Sequence, residues 1–525
     1  MGPGGPGGPG DGPGHPGPLG PLVGPPGRAP GGDGRRFPSG HGPGRSVPAG
    51  GTFDGRLVPA RRLGRPGRGR RTAQDAGPPA LARGHLERPN PGSLGPARRA
   101  SKLDAYRPRR QVLPNGMRLL WEQRPGTGTL ALELHVEAGQ LREAKPGLAH
   151  LVGRLREEGA GGRSATELAQ AVEDLGGSLD VGATGPSLRV RSEDLPLAVE
   201  ILADLMLRPR FPGDAVGWSK RRMAAELQAD RDEPSFRADQ AFRALVYGDN
   251  PYGRDPRGNV RQIAALTLED VLAHDRMFSR PNNAILAVAG DFNPQELRQL
   301  VKQAFGGWEP ARVDLPKPPP LARGLRPRTR RHSAAGEQVQ ILLGHLGIRR
   351  EDPDFDALCV LDPILGSGPG FTDRLSRVLR DELGLAYTVS AGLAESSDIE
   401  PGLLRIYAGT GPEEAPLAVA AMLEQVRAIH EGKFSDEEVR EAQEYLAGAW
   451  VFDYQSVGQR AERLLELERL GLPLDEPIRW PERILRIRPR EVRQAARRQI
   501  SPEALIRLEY GPIVGRKDRA DRDCA

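Results

Sequence analysis

Metal and acid–base chemistry in proteins rests mainly on histidine, cysteine and carboxylate side chains, and in this chain the first two are sparse. The 525 residues include nine histidines and two cysteines, Cys359 and Cys524. Two cysteines exclude a disulfide scaffold and a cysteine-built structural zinc site. A zinc pair on a helix needs two histidines four residues apart, so that both face one side. No histidine here has that partner. His150 lies in Gly147-Leu148-Ala149-His150-Leu151-Val152-Gly153-Arg154-Leu155, a helical run entered through Pro146, and the residue four on is Arg154. Taken alone, such a histidine is expected to pack or cap rather than bind metal.

A second cluster runs from Phe371 through Arg380-Asp381-Glu382-Leu383-Gly384-Leu385-Ala386 to Tyr387. A guanidinium and a phenol are suitable donors to a peptide carbonyl and to the oxyanion that develops on it. On residue type alone, an arginine paired with Asp381 or Glu382 on a wet helix face and a core tyrosine fit as well. The preceding Gly366-Ser367-Gly368-Pro369-Gly370 has no Lys-Ser/Thr and follows no dinucleotide-type strand. It is expected to be a turn between helices rather than a phosphate cradle.

The elements that must position these residues begin at Val112-Leu113-Pro114-Asn115-Gly116, where Asn-Gly predicts a hairpin turn. Leu130, Leu132, Leu134 and Val136 then alternate with Ala131, Glu133 and His135, the pattern of a half-buried strand. Ser164 to Glu167 reads as a capping box opening a helix that stops at Gly176. Internal repetition organises the rest. Pro196-Leu197-Ala198-Val199 returns as Pro416-Leu417-Ala418-Val419, each after a strand (Ser187–Arg191 and Leu403–Tyr407), and Ala284–Val288 has a counterpart at Ala504–Leu508, all at one offset. The expected fold is α+β: two homologous halves, 108–310 and 335–515, each an antiparallel-rich sheet packed by helices. A Pro-rich linker, 311–334, joins them, and 516–525 forms a tail. Two packed halves leave a cleft between them where a ligand could sit.

Residues 1–107 differ in kind. Nearly half of the first 100 residues are Gly or Pro, with 15 Lys/Arg against 5 Asp/Glu, a net charge of +10. The whole chain is +6, so the other 425 residues sum to −4. The basic charge therefore belongs to the leader, which is expected to be disordered because it lacks apolar surface to offset its ordering entropy. Translation of GC-rich upstream sequence, with a true start near Ser101, is an equal expectation, checked by peptide mapping. The Arg61–Arg71 run carries no interleaved aromatics, so a nucleic-acid partner is not expected. No stretch approaches 18 consecutive apolar residues, and the start has neither a basic n-region nor an apolar core. No membrane span is expected, and a cytoplasmic location follows by default, with export open if the true start lies elsewhere.

Several marks together resemble the insulinase/pitrilysin-type zinc peptidases, the family that includes the mitochondrial processing peptidase. They are Leu113-Pro114-Asn115-Gly116, Ala138-Gly139, Gly147-Leu148-Ala149-His150, Asn250-Pro251-Tyr252-Gly253, Gly290-Asp291, Gly344-His345-Leu346-Gly347 and Leu365-Gly366-Ser367-Gly368. The likeness runs over roughly 110–515. In that family an H-x-x-E-H helix supplies two zinc ligands and the base that activates water, and a distal glutamate completes the set. The resemblance places His150 at the first histidine, Gly153 at the catalytic glutamate, Arg154 at the second histidine and Glu226 at the distal ligand. Ser219 replaces a supporting acid. Two remaining ligands do not make a three-ligand catalytic zinc site, the base is missing, and Arg154 is a permanent cation where a dication would lie. An Arg154–Glu226 ion pair is expected to fill the vestigial site, the alternative being that Arg154 points to solvent. Arg380 and Tyr387 match the family's spacing for an Arg/Tyr pair that reaches toward the zinc-bound substrate.

These features imply a chain that binds no cofactor itself. The expected role is the non-catalytic, substrate-positioning subunit of a heteromeric zinc endopeptidase. Its partner would be a paralogue with a complete motif, which would hold the zinc, and unfolded peptides would be the substrate. The alternative is a scaffolding family member with no part in proteolysis.

Overall fold

Two large sheets with one topology account for all but two strands of the described residues, which are 103, 106–321 and 327–513 of a computed structural model. The leader, apart from Leu103, Tyr106 and Arg107, and the 516–525 tail lie outside them. The first sheet uses β1 (Arg109–Val112), β2 (Arg118–Gln123), β3 (Thr129–Val136), β6 (Ser178–Gly182), β7 (Gly185–Arg191) and β8 (Ala284–Gly290), in the order β1-β2-β8-β3-β7-β6. Between them β4 (Gly159–Ala160) and β5 (Arg163–Ser164) form a separate short hairpin. The second sheet uses β9 (Arg328–Ser333), β10 (Val339–Leu346), β11 (Ala386–Gly392), β12 (Leu403–Thr410) and β13 (Ile506–Gly511), in the order β11-β12-β10-β13-β9. Read from the other edge, that order is β2-β8-β3-β7-β6 again. The match extends to direction: β2 runs parallel to β8 and β9 parallel to β13, while every other pairing in the two sheets is antiparallel. The repeat seen in the sequence is thus a repeat of strand order.

Local chemistry explains the elements. Gly116 turns β1 into β2 at φ +89, a conformation that glycine adopts without a Cβ penalty. Ser164 and Glu167 make the reciprocal capping box ahead of the helix Ala165–Asp174. β8, Ala-Ile-Leu-Ala-Val-Ala-Gly, is buried throughout, as an unbroken apolar run in a central strand should be.

The sequence misleads at β3. Its alternation predicted one wet face, yet Ala131 and His135 are buried as well. The reason comes from the other half of the chain: the helix Val457–Arg469 lies across β3, β8 and β2, setting Ala461 against Ala131 and Ala289. The exchange is reciprocal. The helix Pro234–Tyr247, counted with the first half, lies on β10 and β13, where Ala238, Phe242 and Val246 meet Leu342, Ile506 and Leu508. Full burial of a Phe or Val side chain contributes about 1.5–3 kcal/mol, so each sheet depends on a helix from the other half. A buried ion pair, Arg460 Nη1 to Glu122 Oε1 at 2.5 Å, ties the two halves as well.

Two boundaries shift. Arg328–Ser333, expected inside the linker, is strand β9, recruited by parallel pairing with β13. Tyr106, expected in the leader, is buried against Leu120, Ile285 and Tyr454.

Candidate functional site

The helix Leu148–Arg156 starts from Gly147 at φ +87, where an added Cβ would lie 2.2 Å from the Arg257 carbonyl oxygen. The buried Glu143 carboxylate accepts the backbone N–H groups of Gly147 and Ala149, at 3.2 and 3.0 Å, and an Nη2 donor of Arg254 at 3.1 Å. A carboxylate here complements the helix N-terminus. Leu148, Leu151, Val152 and Leu155 pack with Met223 and Leu227 of the helix Gly213–Asp232. That packing turns His150 and Arg154 toward Glu226, and all three line a cavity of about 550 Å³.

Inside the cavity Arg154 Nη2 donates a short hydrogen bond to Glu226 Oε2. Arg222 Nε donates to the other oxygen, Oε1, at 3.1 Å. Glu226 is therefore held between two guanidinium groups, and Arg154 does not point to solvent. Burial, followed by the positive charges of Arg154 and Arg257, lowers the pKa of His150 below its ordinary value and keeps the imidazole neutral. Gly153 faces the sheet: a Cβ there would meet the Gly182 carbonyl oxygen at 2.5 Å and that of Val181 at 3.1 Å. The helix lies so close to β6 that a side chain at this position has no room. Ser219 is buried, with no protein partner for its Oγ among the described residues.

A catalytic zinc ion needs three protein ligands and an open position. The cavity offers His150 and Glu226, and the latter is already occupied by cations. Among the described residues no three His, Cys, Asp or Glu side chains gather closely enough to hold a metal. The donor set does not fit the ion.

Arg380 and Tyr387 lie elsewhere. Arg380 is on a π-helical turn, Ser376–Glu382, and Tyr387 on β11, the edge strand of the second sheet, where the ladder slips between Ala386 and Thr388. Tyr387 is 78% exposed, so it is no core residue, and the Arg380 Cζ lies 5.3 Å from its ring centroid. Such a distance is within cation–π range. Neither residue lines the His150 cavity. The link between the two clusters is Arg405 of β12, which pairs in register with Gly392 and sends Nη1 to Asp239 of the cavity at 2.6 Å. From Gly392 back to Tyr387 the strand spans about 17 Å. Within one chain the structure joins His150, Arg154 and Glu226 but keeps Arg380 and Tyr387 apart from them. Glu143, Arg254 and Asp239 carried no sequence signal of their own, because the Glu143–Arg254 and Asp239–Arg405 pairs join residues far apart in the chain.

Against known proteins, residues 118–258 match the insulinase (peptidase family M16) model and residues 265–446 match the peptidase M16 inactive domain. An uncharacterized zinc protease of Streptomyces coelicolor is 27% identical over 407 residues, covering 74% of this chain and 86% of its own length. One from Mycobacterium tuberculosis is 28% identical over 377 residues, covering 70% and 84%. Among solved structures, a peptidase M16 inactive domain from Pseudomonas fluorescens superimposes with a TM-score of 0.72 at 23% identity, over 78% of this chain and 98% of that one. A protease from Helicobacter pylori gives 0.71 at 19% identity, over 78% and 100%. The chain belongs to the insulinase-type M16 peptidase family. His150, Gly153, Arg154 and Glu226 fall in the region of the first match, Arg380 and Tyr387 in that of the second. Among the described residues no helix is long and apolar enough to cross a membrane.

Proposed function

We propose that this chain is the non-catalytic, substrate-positioning subunit of a heteromeric zinc endopeptidase that cleaves unfolded peptides. The observation that carries this reading is the Arg154–Glu226 pair in the cavity where the family motif would hold zinc. A guanidinium there repels a dication, and position 153 lacks the glutamate that in the family motif accepts a proton from water. In this reading the chain binds no zinc and its paralogous partner carries the complete motif and the metal. Tyr387, displayed on the edge strand β11, and Arg380, on the π-helical turn before it, would face the partner's cleft and donate hydrogen bonds to the substrate carbonyl as charge develops on it.

The test is a quenched-peptide assay with zinc analysis, on this chain alone and after mixing with its zinc-motif paralogue. Activity only on mixing, with zinc only in the partner, supports the reading. Zinc and chelator-sensitive cleavage by this chain alone refute it. Arg380→Ala should then lower cleavage by the mixture about 100-fold, as loss of one oxyanion donor does, while association stays intact. Unchanged cleavage would leave a scaffolding role in its place.

A further inference from the structure

A second cavity, of about 500 Å³, lies in the second half, away from the residues discussed so far. The helix Phe355–Leu365 gives it Asp362, the loop after β11 gives Glu395 and Ser397, and two further helical segments give Trp450 and Trp480. The two indole rings pack at 4.5 Å between centroids. Their N–H groups are already spent, Trp450 Nε1 on the Pro477 carbonyl at 2.9 Å and Trp480 Nε1 on Asp356 Oδ1 at 3.0 Å. The wall they make is therefore apolar and π-rich, with no donor of its own.

The charges around it are unbalanced. Glu476 is matched by Arg350 and Arg483, and Asp453 and Glu466 by Arg463. Asp362 and Glu395 have no such match: no guanidinium or ammonium lies within ion-pairing distance of either among the described residues. Asp362 accepts only backbone N–H groups, from Leu393 at 2.5 Å and Ala394 at 3.4 Å. Burial, with Glu395 as a further negative neighbour, pushes its carboxyl up to about 7. The Ser397 hydroxyl, also on this wall, is buried with no hydrogen-bond partner among the described residues. Two carboxyl groups without an ion-pair partner, an unspent hydroxyl and a wall of two tilted indoles line a space large enough for a small molecule.

We propose that this cavity binds an organic ammonium ion, its charge set between Asp362 and Glu395 and its apolar or aromatic body against Trp450 and Trp480. Carboxylates supply the countercharge and the indole faces attract the cation by their quadrupole. The ammonium could belong to a free amine or to a lysine side chain of a peptide, and the two are separable by experiment. The site does not depend on the partner-subunit reading, and its test uses neither a partner nor cleavage.

Calorimetric titration of the full chain with phenethylamine, beside its neutral analogue 2-phenylethanol, decides the matter. The amine should bind saturably and at least about tenfold more tightly than the alcohol, in line with a desolvated cation–π contact assisted by carboxylates. Glu395→Gln, at an exposed rim position where folding is not at stake, should remove most of that preference while leaving alcohol binding unchanged. Equal binding of amine and alcohol, no saturable binding, or an unaltered preference in Glu395→Gln would overturn the proposal. A capped Ala-Lys-Ala peptide in the same titration identifies the source: tighter binding than phenethylamine points to a lysine side chain, weaker binding to a free amine.

Discussion

The two halves share a strand order and differ in what they do with charge. In the first, the surroundings of His150 are closed: Gly153 abuts the carbonyl groups of β6, Glu226 is held by two arginines, and Glu143 is spent on a helix N-terminus. In the second, the corresponding edge is open: Tyr387 is 78% exposed on β11 beside Arg380, and Asp362 and Glu395 line a cavity whose arginines, Arg350 and Arg463, pair with other carboxylates. β6 and β11 are the equivalent edge strands of their sheets. The comparison teaches that one strand order can carry a closed, ion-paired face in one half and an exposed edge in the other, because the packing and pairing around each sheet are set by different side chains.

The exchange of helices should give the largest effect. Arg460→Ala leaves the buried Glu122 carboxyl without its partner beneath a helix of the opposite half, and is expected to cost about 3–5 kcal/mol. Urea denaturation measures it, and a loss below about 1 kcal/mol would mean that this pair does not bind the halves together. Next comes an attempt to reopen the closed side. Gly153→Glu with Arg154→His restores the motif letters, yet the new side chain meets the Gly182 carbonyl. We expect a loss of about 1–3 kcal/mol from overpacking and no zinc by elemental analysis. Stoichiometric zinc in that double variant would show that β6 yields easily and that the closure is shallow. The smallest effect belongs to Glu226→Gln. Its side chain is 35% exposed, so solvent screening limits the pair, and the thermal midpoint should move by less than about 1 kcal/mol allows. A larger shift would mark the ion pair as a main structural tie of this cavity.

Much of this was legible in the residues. The alternation of β3, the Asn-Gly turn, the capping box and the offset repeat led to two α+β halves. The family resemblance, which placed Arg154 and Glu226 at two zinc-ligand positions, anticipated an ion pair that the fold does form. What stayed hidden depended on residues distant in the chain. Ala131 and His135 looked solvent-facing because nothing near them in sequence foretells the helix Val457–Arg469 above them. Arg328–Ser333 looked like linker because its partner strand lies about 180 residues on and the run itself is exposed and basic. Even Gly153, identified as a missing base, did not disclose that the site has no space for one.

Side-chain chemistry and local pattern are properties of the sequence itself. They determined that this protein has two similar halves, that it lacks a second helix-borne histidine, and that it keeps an arginine and a tyrosine seven residues apart. Only the tertiary structure decided which of these groups meet. It set Arg154 on Glu226, held Tyr387 about 17 Å of strand away from the Arg405 link to that cavity, and left Asp362 and Glu395 in a cavity with tryptophans but without an ion-pair partner. The physical reason is that ion pairing, steric closure and burial depend on distances in space, and reciprocal packing of the two halves sets those distances between residues hundreds of positions apart.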